Sequence, residues 1–205
     1  MSVEGWVLWT GTIGFDTPVL DRIPVAVAEG YDHLSVSPVD VDRLGDPALL
    51  GSRAEAAGLR LVMDPVMNWH PTTKPSKSRF GGYSWEQALE MCEQIGTATM
   101  SAVAGGTTAV DEDGLTEGFA AVCDRAAAFG ALVHLEFIPM TVVPDLATAW
   151  RIVQAADRPN GGLLFDTWHW YRGDPDFALL ATIPGDKVLA VQVDDAAAEV
   201  QGHLW

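Results

Sequence analysis

The sequence predicts an α/β fold of the (β/α)8, TIM-barrel type, with the final βα unit lacking in this chain, built as one domain over residues 1–205. Three observations predict it. Short β-rich runs recur at fairly regular spacing. Segments of helical pattern lie between them, several ending in the glycine that follows a helix C-terminus. The strands themselves read as continuous apolar stretches, as strands covered on both faces of a parallel sheet do.

Taken in order, the first strand is read over 6–9 (WVLW). The turn that follows, WTGTIGF (9–15), lacks the full glycine spacing of a dinucleotide-binding motif, which weakens the competing open, doubly wound sheet. The second strand is read over 33–37 (HLSVS). The helical segment PALLGSRAEAAG (47–58) leads into a third strand over 59–63 (LRLVM), and SWEQALEMCEQIG (84–96) into a fourth over 99–103. LTEGFAAVCDRAAAFG (115–130) precedes the fifth, 131–137 (ALVHLEF), and DLATAWRIVQAA (145–156) precedes the sixth, 162–165. The seventh covers 188–193 (VLAVQV), so an eighth falls after Trp205; a natural seven-stranded open barrel is the alternative.

One long stretch resists a regular element: DPVMNWHPTTKPSKSRFGGY, 64–83, rich in Pro, Gly, Ser and Thr. Loops of this length in compact domains are lids or binding loops. It carries Lys74, Lys77 and Arg79, three of only 12 Lys and Arg, which reads either as a solvated basic loop or as a clamp for a substrate carboxylate or phosphate.

Composition narrows the function classes. With 48% hydrophobic residues the chain can bury a sizeable core, while a net charge of −16 repels nucleic-acid backbones and anionic lipid. No apolar run approaches the roughly 20 residues of a membrane-spanning helix, and MSVEGWVLW has no basic n-region, so the cytoplasm is the expected compartment. Cys92 and Cys123 fall in helical segments without zinc-site spacing and read as reduced core residues.

In a barrel, chemistry sits where strands end at the C-terminal mouth. The polar residues there are Asp64, Glu136, Asp166 and Gln192, with Asp194 and Asp195 following. A glutamate inside ALVHLEF is costly unless something neutralises it; His134, two residues away on the same strand face, is one candidate partner, although His134 alone reads as a satisfied core histidine. Three successive strands each bringing an oxygen to one mouth is the pattern of a metal site. The stretch GGLLFDTWHWYRGD (161–174) reads as a buried strand running into a loop, with Asp166 and His169 three residues apart at the exit.

HLEF, FDTWH and VQVDD resemble the xylose isomerase-like barrels, a family of sugar phosphate isomerases and epimerases, inosose dehydratases and 3-dehydroshikimate dehydratases. The resemblance implies that Glu136, Asp166 and Gln192 hold one divalent cation, with a fourth ligand beyond the end of the chain, and that His169 faces the substrate. An all-oxygen set suits Mg2+ or Mn2+ better than Zn2+. The implied activity is a sugar or sugar-phosphate isomerase or epimerase that abstracts a proton beside a carbonyl through an enediolate. Glu136 serves as base and ligand, and His169 moves the proton.

A metal-dependent dehydratase is the runner-up, and a catalytically inactive barrel acting as a binding protein is a third reading. Trp69, His70, Trp168, Lys74 and Arg79 are assigned to substrate binding. The expected partner is a small polar molecule (a sugar, a sugar phosphate or a hydroxy-keto acid), with no nucleic acid and no membrane. A homo-oligomer is one way to cover the edges of an incomplete barrel.

Overall fold

The computed structural model describes residues 5–71, 80, 82–105, 110–195 and 197–199. Among them are seven strands: β1 (Val7–Leu8), β2 (His33–Val36), β3 (Arg60–Val66), β4 (Thr99–Val103), β5 (Leu132–Glu136), β6 (Gly161–Asp166) and β7 (Val188–Gln192). They form one sheet in sequence order, every neighbouring pair parallel, so the chain winds steadily in one direction, as successive strands of a TIM barrel do.

The helices on the outside are α1 (Val19–Ala28), α2 (Pro38–Leu44), α3 (Pro47–Ala56), α4 (Trp85–Ile95), α5 (Glu112–Ala127), α6 (Leu146–Ala156), α7 (Thr167–Arg172) and α8 (Phe177–Leu180). Their ends have local causes. Ser84 and Gln87 form a capping box at the start of α4, and Gly96, in the left-handed region, ends it. Asp145 caps α6 by accepting from the Thr148 amide at 2.8 Å.

Three elements differ from the sequence reading. Helix α1 forms although Pro24 lies inside it and removes a backbone donor, because Val19, Ile23 and Ala26 are buried in the core. Strand β3 continues to Val66 through the cis Asp64–Pro65 bond, with its ladder to β4 shifting register there, so the irregular stretch starts later than position 64. Residues 167–172 are helical rather than a loop, because the Asp166 side chain accepts from the His169 amide and starts α7 directly at the strand end.

Alternation along the strands divides the side chains. Leu34, Val36, Leu61, Met63, Met100, Ala102, Val133, Leu135 and Leu163 are buried in the hydrophobic core. The opposite parity carries Ser35, Val62, Thr99, Ser101 and His134 on registered neighbours, a more polar set than the branched aliphatics common in barrel interiors. His134 makes its contact with the Thr99 hydroxyl, Nε2 to Oγ1 3.2 Å, and not with Glu136; burial pushes its pKa down to about 4, so it is neutral. The same parity places Glu136 opposite Leu164 on β6, and Asp166 opposite Gln192 on β7. Glu136, Asp166 and Gln192 therefore share one face at the strand ends.

Candidate functional site

Each residue of the site is placed by the end of an element. Glu136 is the last residue of β5 and Asp166 the last of β6, and both are buried, at 6% and 3% exposure. His169 lies in the first turn of α7. Because Asp166 is also the cap of that helix, its Oδ1 accepts from the His169 amide at 2.7 Å, which fixes where the imidazole begins. The ring then reaches across to β5, with Nε2 3.2 Å from Glu136 Oε1 and 4.0 Å from Asp166 Oδ2. One ligand atom from each of the three lies within 4.8 Å of the others.

The electrostatics follow from burial. Loss of water pushes the Glu136 carboxyl up to about 7; the charges of Asp64 and Asp166 add to this, while the hydrogen bond from His169 opposes it. Burial likewise raises Asp166 to about 6 against the stabilising amide of His169. For His169, burial disfavours the cation, but the hydrogen bond to Glu136 and the charges of Asp166 and Glu136 outweigh it and the net shift is upward. Two buried carboxylates that share a single imidazole leave negative charge under-compensated, and the His169 Nδ1 is buried without a partner among the described residues. Such a donor set fits a divalent cation, which would neutralise both carboxylates at once.

The structure treats the other expected site residues differently. Gln192 sits beside Asp166 in the β6–β7 ladder and is half-buried. Trp168 packs its ring edge-on to His169 at 5.2 Å; it also borders a separate cavity of about 420 Å3 with Phe165, Trp170, Tyr171 and Phe177. Trp69 and His70, expected at the substrate, are instead packed into the wall. The Trp69 indole donates to the Val103 carbonyl at 3.0 Å and meets Phe119 edge-on at 6.2 Å. His70 Nε2 lies 2.8 Å from the Gly105 carbonyl, and its Nδ1 faces the Pro71 carbonyl at 3.3 Å. Lys74 and Arg79, with Lys77, lie outside the described residues.

Sequence reasoning assigned no role to the Trp9–Asp64 pair. The Trp9 indole donates to Asp64 Oδ2 at 2.8 Å, joining the end of β1 to β3 across β2. A strand-end aspartate was visible in the sequence; its partner, 55 positions away, was not.

A family model described as xylose isomerase-like TIM barrel matches residues 23–205. The chain belongs to this family. As a xylose isomerase-like barrel it is 30% identical over 194 residues to a 3-dehydroshikimate dehydratase of Pseudomonas aeruginosa, a match covering 90% of this chain and 30% of the dehydratase. It is 32% identical over 74 residues to an inosose isomerase of Bacillus velezensis, covering 35% of this chain and 26% of the isomerase. The chain thus spans less than a third of each of these curated relatives. Among solved structures, IolI protein with a bound zinc atom superposes with a TM-score of 0.78 at 18% identity, over 94% of this chain and 73% of that one, a likeness of fold. The curated relatives thus carry the names of a dehydratase and an isomerase. Among the described residues no helix is long and apolar enough to cross a membrane.

Proposed function

We propose that this xylose isomerase-like barrel is a divalent-cation-dependent enzyme that abstracts a proton from the carbon beside a carbonyl of a small polyhydroxylated substrate, and that the outcome is loss of water, as in a 3-dehydroshikimate dehydratase. The observation that carries this reading is the buried Glu136–His169 pair, 3.2 Å apart, next to Asp166 on the adjoining strand end.

Glu136, Asp166 and Gln192 would hold the cation, and three oxygen donors favour Mg2+ or Mn2+. When bound, the dication supplies Lewis-acid stabilisation of the negative charge that develops on the carbonyl oxygen. The chain's own groups handle the proton. Glu136, buried at the strand end and held against His169, is placed for general base work. It takes the proton from carbon; the C–H electron pair forms a carbon–carbon double bond, and the β-hydroxyl leaves with its own electron pair. His169, held against Glu136 at 3.2 Å, gives that hydroxyl the proton that completes water. Trp168 against one side of the imidazole limits its movement.

Isomerisation or epimerisation uses the same first step and ends instead with the proton returning to carbon. Dehydration is preferred because the dehydratase aligns with 90% of this chain and the inosose isomerase with 35%. The test is to strip the protein with a chelator, add Mn2+ or Mg2+, and supply 3-dehydroshikimate while following the rise in ultraviolet absorbance of the dihydroxybenzoate that loss of water creates. Turnover that depends on the cation and collapses in Glu136→Gln, with the fold intact by circular dichroism, supports the proposal. Normal turnover in Glu136→Gln, or a melting temperature that Mn2+ leaves unmoved in the wild type, overturns it.

A further inference from the structure

We propose that Asp64 is a specificity-determining residue of the same site: its carboxylate, oriented by Trp9, accepts hydrogen bonds from hydroxyl groups of the substrate on the β3–β4 side of the mouth, away from α7. The inference rests on the function proposed above and adds the chemical character of the substrate on that side.

The segment WTGTIGF, which lacks the full glycine spacing of a dinucleotide-binding motif, seats an aromatic ring. Residues Thr10–Ile13 form a 3-10 turn beneath the Trp9 ring. A Cβ on Gly11 would fall 1.8 Å from the Cζ3 atom of Trp9, so the indole lies directly on the glycine backbone and only glycine permits it. Phe15 meets the ring edge-on at 5.6 Å and is met in turn by Phe80 at 5.5 Å. The Thr10 hydroxyl donates to the Ser35 carbonyl at 2.6 Å, tying the turn to β2. With the indole so held, its N–H is aimed at Asp64 Oδ2. Trp9 remains 44% exposed, leaving ring surface to lie against the apolar face of a carbocycle or sugar.

Asp64 lies on the inward parity of β3, half-buried, with Ser101 of β4 beside it; burial pushes its carboxyl up, and Trp9 and Ser101 oppose that shift. No ion pair joins it to Lys, Arg or His among the described residues. The Trp9 indole holds Oδ2, while a carboxylate offers about four acceptor positions, so acceptor capacity remains. Its charge reaches Glu136. A phosphate or carboxylate placed there would face two acids, whereas a hydroxyl supplies the missing donor without added charge. The matching substrate is therefore hydroxylated and uncharged on this side, and carries any anionic group elsewhere.

Shikimate is a suitable probe, since it has ring hydroxyls but no ketone beside which a proton could be removed. It is titrated by calorimetry into the wild-type chain and its variants, once with Mn2+ and once with chelator. Asp64→Asn is expected to weaken shikimate binding about tenfold, the loss typical of one charge-assisted hydrogen bond, while the rise in melting temperature caused by Mn2+ stays as in the wild type. Gly11→Ala, which touches no ligand but displaces Trp9, is expected to weaken shikimate binding in the same direction. Unchanged affinity in Asp64→Asn, or a wild type that does not bind shikimate at millimolar concentration, overturns the inference. Failure of the cation reading shows separately, as a wild type without a Mn2+ response; the chelator titrations still report on Asp64.

Discussion

Removing the carboxylate of Asp40 should destabilise this protein by about 3–5 kcal/mol, because it strands a charge in the core. Arg22 on α1 is completely buried and Asp40 on α2 nearly so. The guanidinium donates from Nη2 to Asp40 Oδ1 at 2.8 Å and from Nη1 to Oδ2 at 3.0 Å. Its remaining donors go to the Thr17 carbonyl, from Nε at 2.9 Å and Nη2 at 2.6 Å, and to the Thr10 hydroxyl at 3.1 Å. Asp40 Oδ2 also accepts from the Ser37 amide and hydroxyl at 2.9 and 2.8 Å. Asp40→Ala deletes every acceptor on one side of this arrangement and leaves Arg22 charged with no water to replace them.

For a domain of this size each kcal/mol moves the melting temperature by about 2–4 °C, so a fall of roughly 10 °C is expected in a thermal scan followed by circular dichroism, with urea titration giving the free energy. The double variant Arg22→Met, Asp40→Leu should recover much of the loss, since an apolar pair needs no counter-charge. A cost below about 1 kcal/mol for Asp40→Ala, the level expected of an exposed pair, would refute the reasoning. Because Thr10 hangs on Arg22, the same change should loosen the Trp9 seat and weaken shikimate binding.

Further outcomes follow from the same physics. Arg151→Met removes a solvent-exposed pair with Glu112 at 2.9 Å and should cost less than about 1 kcal/mol in urea titration. Gly162→Ala should destabilise by about 1–3 kcal/mol, because its Cβ would stand 2.6 Å from the Lys187 carbonyl in the neighbouring β7 connection; a neutral result would mean that this connection yields freely. With chelator present, the folded state holds Glu136 near 7 and Asp166 near 6, both above their ordinary range, so these groups stabilise the fold at low pH and lose that contribution as pH rises through 6 to 7. The stability of Glu136→Gln relative to wild type should therefore increase from pH 5 to pH 8 in matched urea titrations, and a flat difference would contradict the shift. His134 works in the opposite sense. Its pKa is depressed to about 4, so its contribution is full above about 6.5 and is lost as pH falls through about 4; replacing it by Asn should flatten the acid limb of the stability curve.

How much was legible beforehand varies by element. Strands β2 to β7 were read within a few residues of their observed bounds because burial on both faces writes itself as unbroken apolar runs. Helices α3 to α6 were legible from apolar periodicity and from caps such as Ser84 and Asp145. Helix α1 was hidden by Pro24, whose local cost only core packing outweighs, and α7 by a run of aromatic residues with poor helical character. Glu136 and Asp166 could be picked out because an acid at the end of an apolar strand contradicts its surroundings. The carbonyl contacts of Trp69 and His70 could not be read beforehand, because their partners lie 34 and 35 residues away.

The sequence by itself determined the alternation of strand and helix, the parity that sends Glu136, Asp166 and Gln192 to one face, and the acids at the mouth, since each depends on neighbours within a few positions. Only the tertiary structure decided that His169 pairs with Glu136 rather than His134 doing so, that Trp9 holds Asp64, and that Arg22 is locked to Asp40. Those contacts join residues 18 to 55 positions apart, and what brings them within 3.2 Å is the curvature of the sheet and the seating of its helices, which no local pattern encodes.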